Sequence, residues 1–117
     1  DLKQAVLSLI CSYRSRLPVW LEALSGNKAD KSSFPETIKA YVEQMDEAET
    51  TYFIADSALY SKQNIQELSQ VKWITRVPAT LKAVQDLQQT LDPADMRPAS
   101  QDGYRVTEVC STYGGVR

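Results

Sequence analysis

A chain of 117 residues buries roughly two-thirds of its unfolded surface on folding, enough for one modest core and too short for two full domains. Hydrophobic residues at 43% and charged residues at 24% match an ordinary globular domain and exclude a disordered, collagen-like or coiled-coil chain. Lys+Arg 13 against Asp+Glu 15 gives a net charge of −2, which recommends no polyanion by overall balance, and the absence of histidine excludes Ser-His-Asp and Cys-His catalysis and His-containing zinc sites.

Ala5 to Cys11, interrupted only by Ser8, is apolar on both alternating faces, which predicts a strand covered on two sides. The run falls far short of the ~20 residues a membrane span requires, and no signal peptide precedes it, so no membrane contact and a cytoplasmic location are expected. Pro18 to Leu24 reads as a second strand, with the proline confined to its start because it cannot donate to a ladder. The short link Tyr13-Arg14-Ser15-Arg16-Leu17 predicts an antiparallel hairpin, although it lacks the glycine such a turn favours.

Ser25-Gly26-Asn27 is a turn signal, and Ser33-Phe34-Pro35-Glu36 has the form of a capping box, predicting a helix that starts there. Phe34, Ile38, Tyr41, Val42 and Met45 fall on one helical stripe facing the core, and Asp46, Glu47 and Glu49 close the segment. Thr51 to Ala55 is a short strand ending at Asp56, followed by a helix from Ser61 that buries Ile65 and Leu68. Val71 to Val77 resumes strand character until Pro78 stops it, and a third helix carries Leu81, Val84, Leu87 and Leu91 on one face. Asp92 to Gly103 reads as an exposed loop, Tyr104 to Cys110 as a last strand, and Tyr113 to Arg117 as a turn. The order ββαβαβαβ predicts a mixed-sheet α/β fold with right-handed crossovers, residues 1–117 forming one partial domain.

Asp56 is the leading candidate for chemistry, because a carboxylate at the carboxyl end of a buried strand stands where α/β sheets bind ligands and suits a hard metal ion. The structural alternative is that it caps the following helix or sits in a turn. Asn27 and Asp30 are residue types that turns and helix starts select for backbone reasons. Lys28, Lys31, Lys62, Lys72 and Arg76 are positioned to touch phosphates or to form a solvated face, and interspersed acidic residues favour the latter. Trp20, Tyr52, Phe53 and Trp73 read as core and not as base-stacking platforms. Cys11 and Cys110 have no CxxC spacing and read as reduced thiols.

Five strings occur in order: Asp1-Leu2-Lys3-Gln4; Ser25-Gly26-Asn27-Lys28-Ala29-Asp30-Lys31; Tyr52 to Ser61, reading YFIADSALYS; Trp73 to Lys82, reading WITRVPATLK; and Tyr113-Gly114-Gly115-Val116-Arg117. Together they resemble the catalytic core of bacterial insertion-sequence transposases of the DDE type, over nearly the whole chain. The resemblance implies a ribonuclease-H-like mixed sheet with flanking helices, binding of transposon-end DNA, and Mg2+-dependent strand cleavage and joining. Asp56 matches the family's second acid, a metal ligand and catalytic residue. The family's first aspartate lies on a strand upstream of the D-L-K-Q segment and its glutamate on a helix beyond the Y-G-G-V segment; neither Asp1 nor Glu108 matches them. The expectation is therefore an incomplete core, lacking the central first strand and the C-terminal catalytic helix, and inactive alone.

Without that strand, the exposed edges are expected to be covered by direct pairing of Ala5–Cys11 with Thr51–Ala55 or by self-association. Two other classes compete: a non-catalytic remnant or small interaction module without DNA activity, and a hydrolase with its own carboxylate site, for which no second acid is well placed beside Asp56.

Overall fold

Two strands of alternating apolar character, β1 (Ala5–Cys11) and β2 (Pro18–Ser25), pair as the expected antiparallel hairpin, with Leu9 opposite Leu21 and Ile10 opposite Trp20. The register shifts between Ile10 and Cys11, which places Cys11 opposite Pro18. The irregularity falls at a residue with no N–H to give to the ladder. In the link, where no glycine stands, Arg16 itself takes the left-handed conformation (φ 55°), and its N–H donates to the Ser12 carbonyl at 2.9 Å. That conformation costs a side-chain-bearing residue about 1–2 kcal/mol, against about 0.5–1 kcal/mol for the greater unfolded freedom of glycine. Arg16→Gly should thus gain about 0.5 kcal/mol, read as a higher urea midpoint at unchanged m-value.

The computed structural model describes residues 4–28, 30–45 and 50–117, with the backbone alone at 30–32. Helix α1 (Asp30–Val42) begins before the predicted capping box, so Ser33 and Pro35 lie buried inside it and Glu36 pairs with Lys28 instead of capping. A proline this near the N-terminus forfeits few backbone bonds. Ser33 and Thr37 serve the interior face, where Thr37 Oγ1 lies 2.9 Å from Ser8 Oγ on β1. The acidic close at Asp46, Glu47 and Glu49 falls outside the described residues.

Next come β3 (Tyr52–Ala55), α2 (Lys62–Glu67) and β4 (Lys72–Thr75), a β-α-β unit in which Phe53 lies opposite Trp73 and Ala55 opposite Thr75 in parallel register. Ser61 caps α2 through its hydroxyl, which accepts the Asn64 N–H at 3.2 Å. β4 is shorter than the predicted Val71–Val77 because its ladder extends only as far as the four residues of β3, and the Val71 N–H is spent on the Leu68 carbonyl at 3.0 Å. Helix α3 (Lys82–Thr90) carries Val84 and Leu87 of the expected stripe, with Leu81 and Leu91 as the residues capping its two ends, and all four are half-buried.

A single 3-10 turn (Pro93–Asp95) leads into β5 (Arg97–Pro98), which pairs with β6 (Arg105–Val106). The predicted loop 92–103 therefore contains a strand. The predicted strand Tyr104–Cys110 shrinks to two residues, since 107–110 alternate in sequence but have no ladder partner.

The core gathers Ile38, Phe53, Leu59 and Leu68, with Ile10, Phe34, Tyr41, Val42, Met45, Ala55, Val71 and Trp73 packed around it. Tyr41 bridges the hairpin to β3 by edge-on contacts with Trp20 and Phe53, each at 6.1 Å between ring centroids. All of this lies on one side of the strands. On the other side Leu7 is 66% and Leu9 51% exposed, and Leu21, Ile54 and Ile74 are open as well. The expectation that β1 is covered on two sides is thereby corrected: α1 and α2 both contribute to the same core, which leaves the outer face without a layer among the described residues.

Among the described residues the strands form three two-stranded sheets, β1-β2, β3-β4 and β5-β6, in place of the expected single mixed sheet. β1 does not pair with β3. Between them lies a cleft of about 710 Å³, lined by 6–11 on one side and 52–55 on the other, with Thr37, Ile38 and Tyr41 of α1 at its base. The radius of gyration, 17.1 Å, exceeds the roughly 13–14 Å of a close-packed chain of this length, as an open arrangement requires.

Candidate functional site

Parallel pairing with Ala55 opposite Thr75 brings Asp56 and Arg76 to neighbouring positions at the carboxyl edge of the β3-β4 pair. The two strand ends are tied together by Thr75, whose hydroxyl donates to the Asp56 carbonyl at 2.5 Å. Asp56 is exposed, and its Oδ1 accepts the Ala58 N–H at 2.8 Å, closing a turn that starts the descent into Leu59 and α2. The turn role foreseen as the structural alternative is thus real, and it engages only one carboxylate oxygen. The helix cap belongs to Ser61 and not to Asp56.

Beside this edge, Arg76 Nη2 reaches Ser57 Oγ at 3.5 Å. No carboxylate among the described residues forms an ion pair with Arg76; the ion pairs there are Lys28–Glu36, Lys39–Glu67 and Arg97–Glu108. Thr75 and Ser57 are not among the site candidates that the sequence marks out. The only signal for them was the strand register, which a run of β-prone letters does not disclose.

Other candidates divide cleanly. Asn27 accepts from the Ser25 hydroxyl at 2.5 Å in the turn after β2, while Asp30 opens α1 at a position whose side chain lies outside the described residues, as does that of Lys31. Lys72 sits 5.7 Å from the ring centre of Tyr52, and Lys62 lies beneath Gly114. Phe53 is core as expected, but Tyr52 is 60% exposed because the strand's alternation turns it to the uncovered face.

The final turn docks on α2. Gln66 donates to the Gly114 carbonyl at 2.6 Å, and Tyr60 stacks on Tyr113 at 4.9 Å between ring centroids. Gly114 needs its φ of 63°, and a Cβ there would come within 3.0 Å of Lys62 Cγ. Partial burial, with Tyr113 close by, holds the Tyr60 hydroxyl neutral to higher pH than an ordinary tyrosine. A raised folded pKa stabilises fully below the unfolded value and is lost as pH rises through the folded value. The docked turn should therefore loosen in alkali. An absorbance titration should show one tyrosinate forming late, and Tyr113→Leu should make it form earlier.

As a metal ligand, Asp56 supplies the hard oxygen that Mg2+ prefers. Among the described residues it is not joined by other carboxylates or thiols in a metal-holding group of three or more. The described residues do not make a complete metal site by themselves. No described helix is long and apolar enough to cross a membrane.

The family model described as Transposase DDE domain matches residues 3–111, and the chain belongs to that family. Membership assigns it in general terms to DNA transposition and recombination, with DNA as partner and divalent metal as the family's usual cofactor. No curated protein and no solved structure matches the chain.

Proposed function

We propose that this member of the transposase DDE family is part of a ribonuclease-H-like catalytic core that cleaves and joins transposon-end DNA of an insertion sequence by metal-dependent phosphoryl transfer, with Asp56 as one of its metal-binding acids. The observation that carries the reading is the placement of Asp56. It is exposed at the carboxyl end of a parallel strand, within a chain matched to the family from residue 3 to 111, and one carboxylate oxygen is left over from its turn.

Phosphoryl transfer asks the protein mainly to position groups and to offset charge. Bound metal would activate a water or a 3′ hydroxyl and stabilise the leaving oxygen. The chain's own part is to hold the Asp56 carboxylate still, through the Ala58 N–H below it and the Thr75 hydroxyl on its carbonyl. Further acids must come from sequence outside the described residues.

The cleft between β1 and β3 supports the sheet architecture. Among the described residues each of these strands has a partner on one edge only, and consecutive residues of both strands line the cleft. One inserted strand would join the antiparallel and parallel pairs into a single mixed sheet. The test is magnesium-dependent nicking of a duplex carrying the element's terminal repeat, by a polypeptide extended at both ends with its natural flanking sequence. Cleavage at the repeat end supports the reading. An extended, folded polypeptide that neither binds nor nicks the duplex in magnesium or manganese would favour the non-catalytic remnant or interaction module.

A further inference from the structure

The five cations singled out in the sequence are not equivalent. Lys28 is neutralised by Glu36, Lys72 lies over the Tyr52 ring, Lys62 lies beneath the 113–116 turn, and the side chain of Lys31 lies outside the described residues. Arg76 stands at the strand edge that presents Asp56. It forms no ion pair among the described residues, although a carboxylate occupies the adjacent register position.

A guanidinium offers five donors in a planar fork that matches two oxygens of one phosphate. In Arg76 a single long contact, Nη2 to Ser57 Oγ at 3.5 Å, engages the head. The arm is aimed by its neighbours, because Thr75 is bonded to the Asp56 carbonyl and Ser57 follows Asp56 directly in the chain. Asp56, Ser57 and Arg76 thus form one edge carrying a carboxylate, a hydroxyl and an unneutralised cation, with Asp56 and Arg76 exposed and Ser57 half-buried.

From this juxtaposition we propose that Arg76 is a positioning residue that grips a backbone phosphate of the DNA strand presented to Asp56, with Ser57 setting the orientation of the guanidinium. The proposal rests on the DNA-transposase reading and goes beyond it by assigning a specific phosphate-holding group to this edge. The grip needs no metal. The guanidinium neutralises phosphate charge directly and fixes the backbone beside the carboxylate, and the other donors of the fork remain available for bidentate contact.

The test is fluorescence anisotropy of a labelled short DNA duplex titrated with the chain, in EDTA, over a series of salt concentrations. Arg76→Ala should weaken binding roughly tenfold and reduce the slope of log affinity against log salt by about one phosphate contact. Arg76→Lys, which keeps the charge and the fold but not the fork, should restore the slope while recovering only part of the affinity. If Arg76→Ala binds with unchanged affinity and slope while the wild type binds in a salt-dependent way, this proposal fails and the DNA reading stands. If the wild type does not bind the duplex even at the lowest salt, both are overturned. Equal losses in Arg76→Ala and Arg76→Lys, with unchanged circular dichroism and unchanged slope, would mean that the residue acts on the fold of the edge and not on phosphate.

Discussion

Asp56→Asn in the extended polypeptide is expected to lower magnesium-dependent cleavage by about a thousandfold, the equivalent of the several kcal/mol of transition-state stabilisation that a metal site supplies. The substitution is informative because of the turn. Asn keeps an oxygen that can accept the Ala58 N–H, now bonded at 2.8 Å, so the local backbone is preserved while the negative charge and one metal-facing oxygen are lost. Thermal unfolding should move little. Asp56→Ala should show the same loss of cleavage together with a stability cost of about 1 kcal/mol from the broken turn bond. Full cleavage by Asp56→Asn would remove Asp56 from the site and leave it only its structural role.

The largest effect on stability is expected at Leu68. It is fully buried (0% exposed), packs with Ile38, Phe53 and Leu59, and accepts the Val71 N–H through its carbonyl where α2 hands over to β4. Truncation to alanine leaves a cavity that costs about 2–5 kcal/mol. Against a typical domain stability of about 5–15 kcal/mol, such a loss consumes much of what holds a small core together. Urea denaturation followed by tryptophan fluorescence should show a strong fall in midpoint. Leu9→Ala, with Leu9 51% exposed on the open face, should stay within about 0.5 kcal/mol of the wild type. Equal effects at the two positions would mean that the open face is covered in solution.

Local pattern carried much of the architecture. The hairpin, the β-α-β unit, the helix that starts at Ser61, the stripe on α3 and the burial of Ile65 and Leu68 all follow from periodicity confined to neighbouring residues. What escaped depends on partners distant in the chain. A strand apolar on both faces states that two layers could cover it, not that two are present, and Leu7 and Leu9 remain open. Ser33 and Glu36 have capping-box spacing, yet the chain enters α1 earlier and buries Ser33 on its interior side. The alternation at Tyr104–Cys110 lacks a partner beyond Val106. At the candidate site, the exposed position of Asp56 after β3 was legible because a short apolar strand precedes it. Ser57 and Thr75 were not, because their roles arise from the register of two strands separated by a helix.

That register also decides which length changes the chain can absorb as it drifts. A residue gained at Ser69 or Gln70, both exposed between α2 and β4, lengthens a surface connection and leaves Ala55 facing Thr75. The loss of Lys72 has no such outlet: it turns Trp73 from the core to the open face and carries Arg76 away from Asp56 in the same step. Evolution can therefore stretch the connection freely, while the four paired residues on each side are fixed in number.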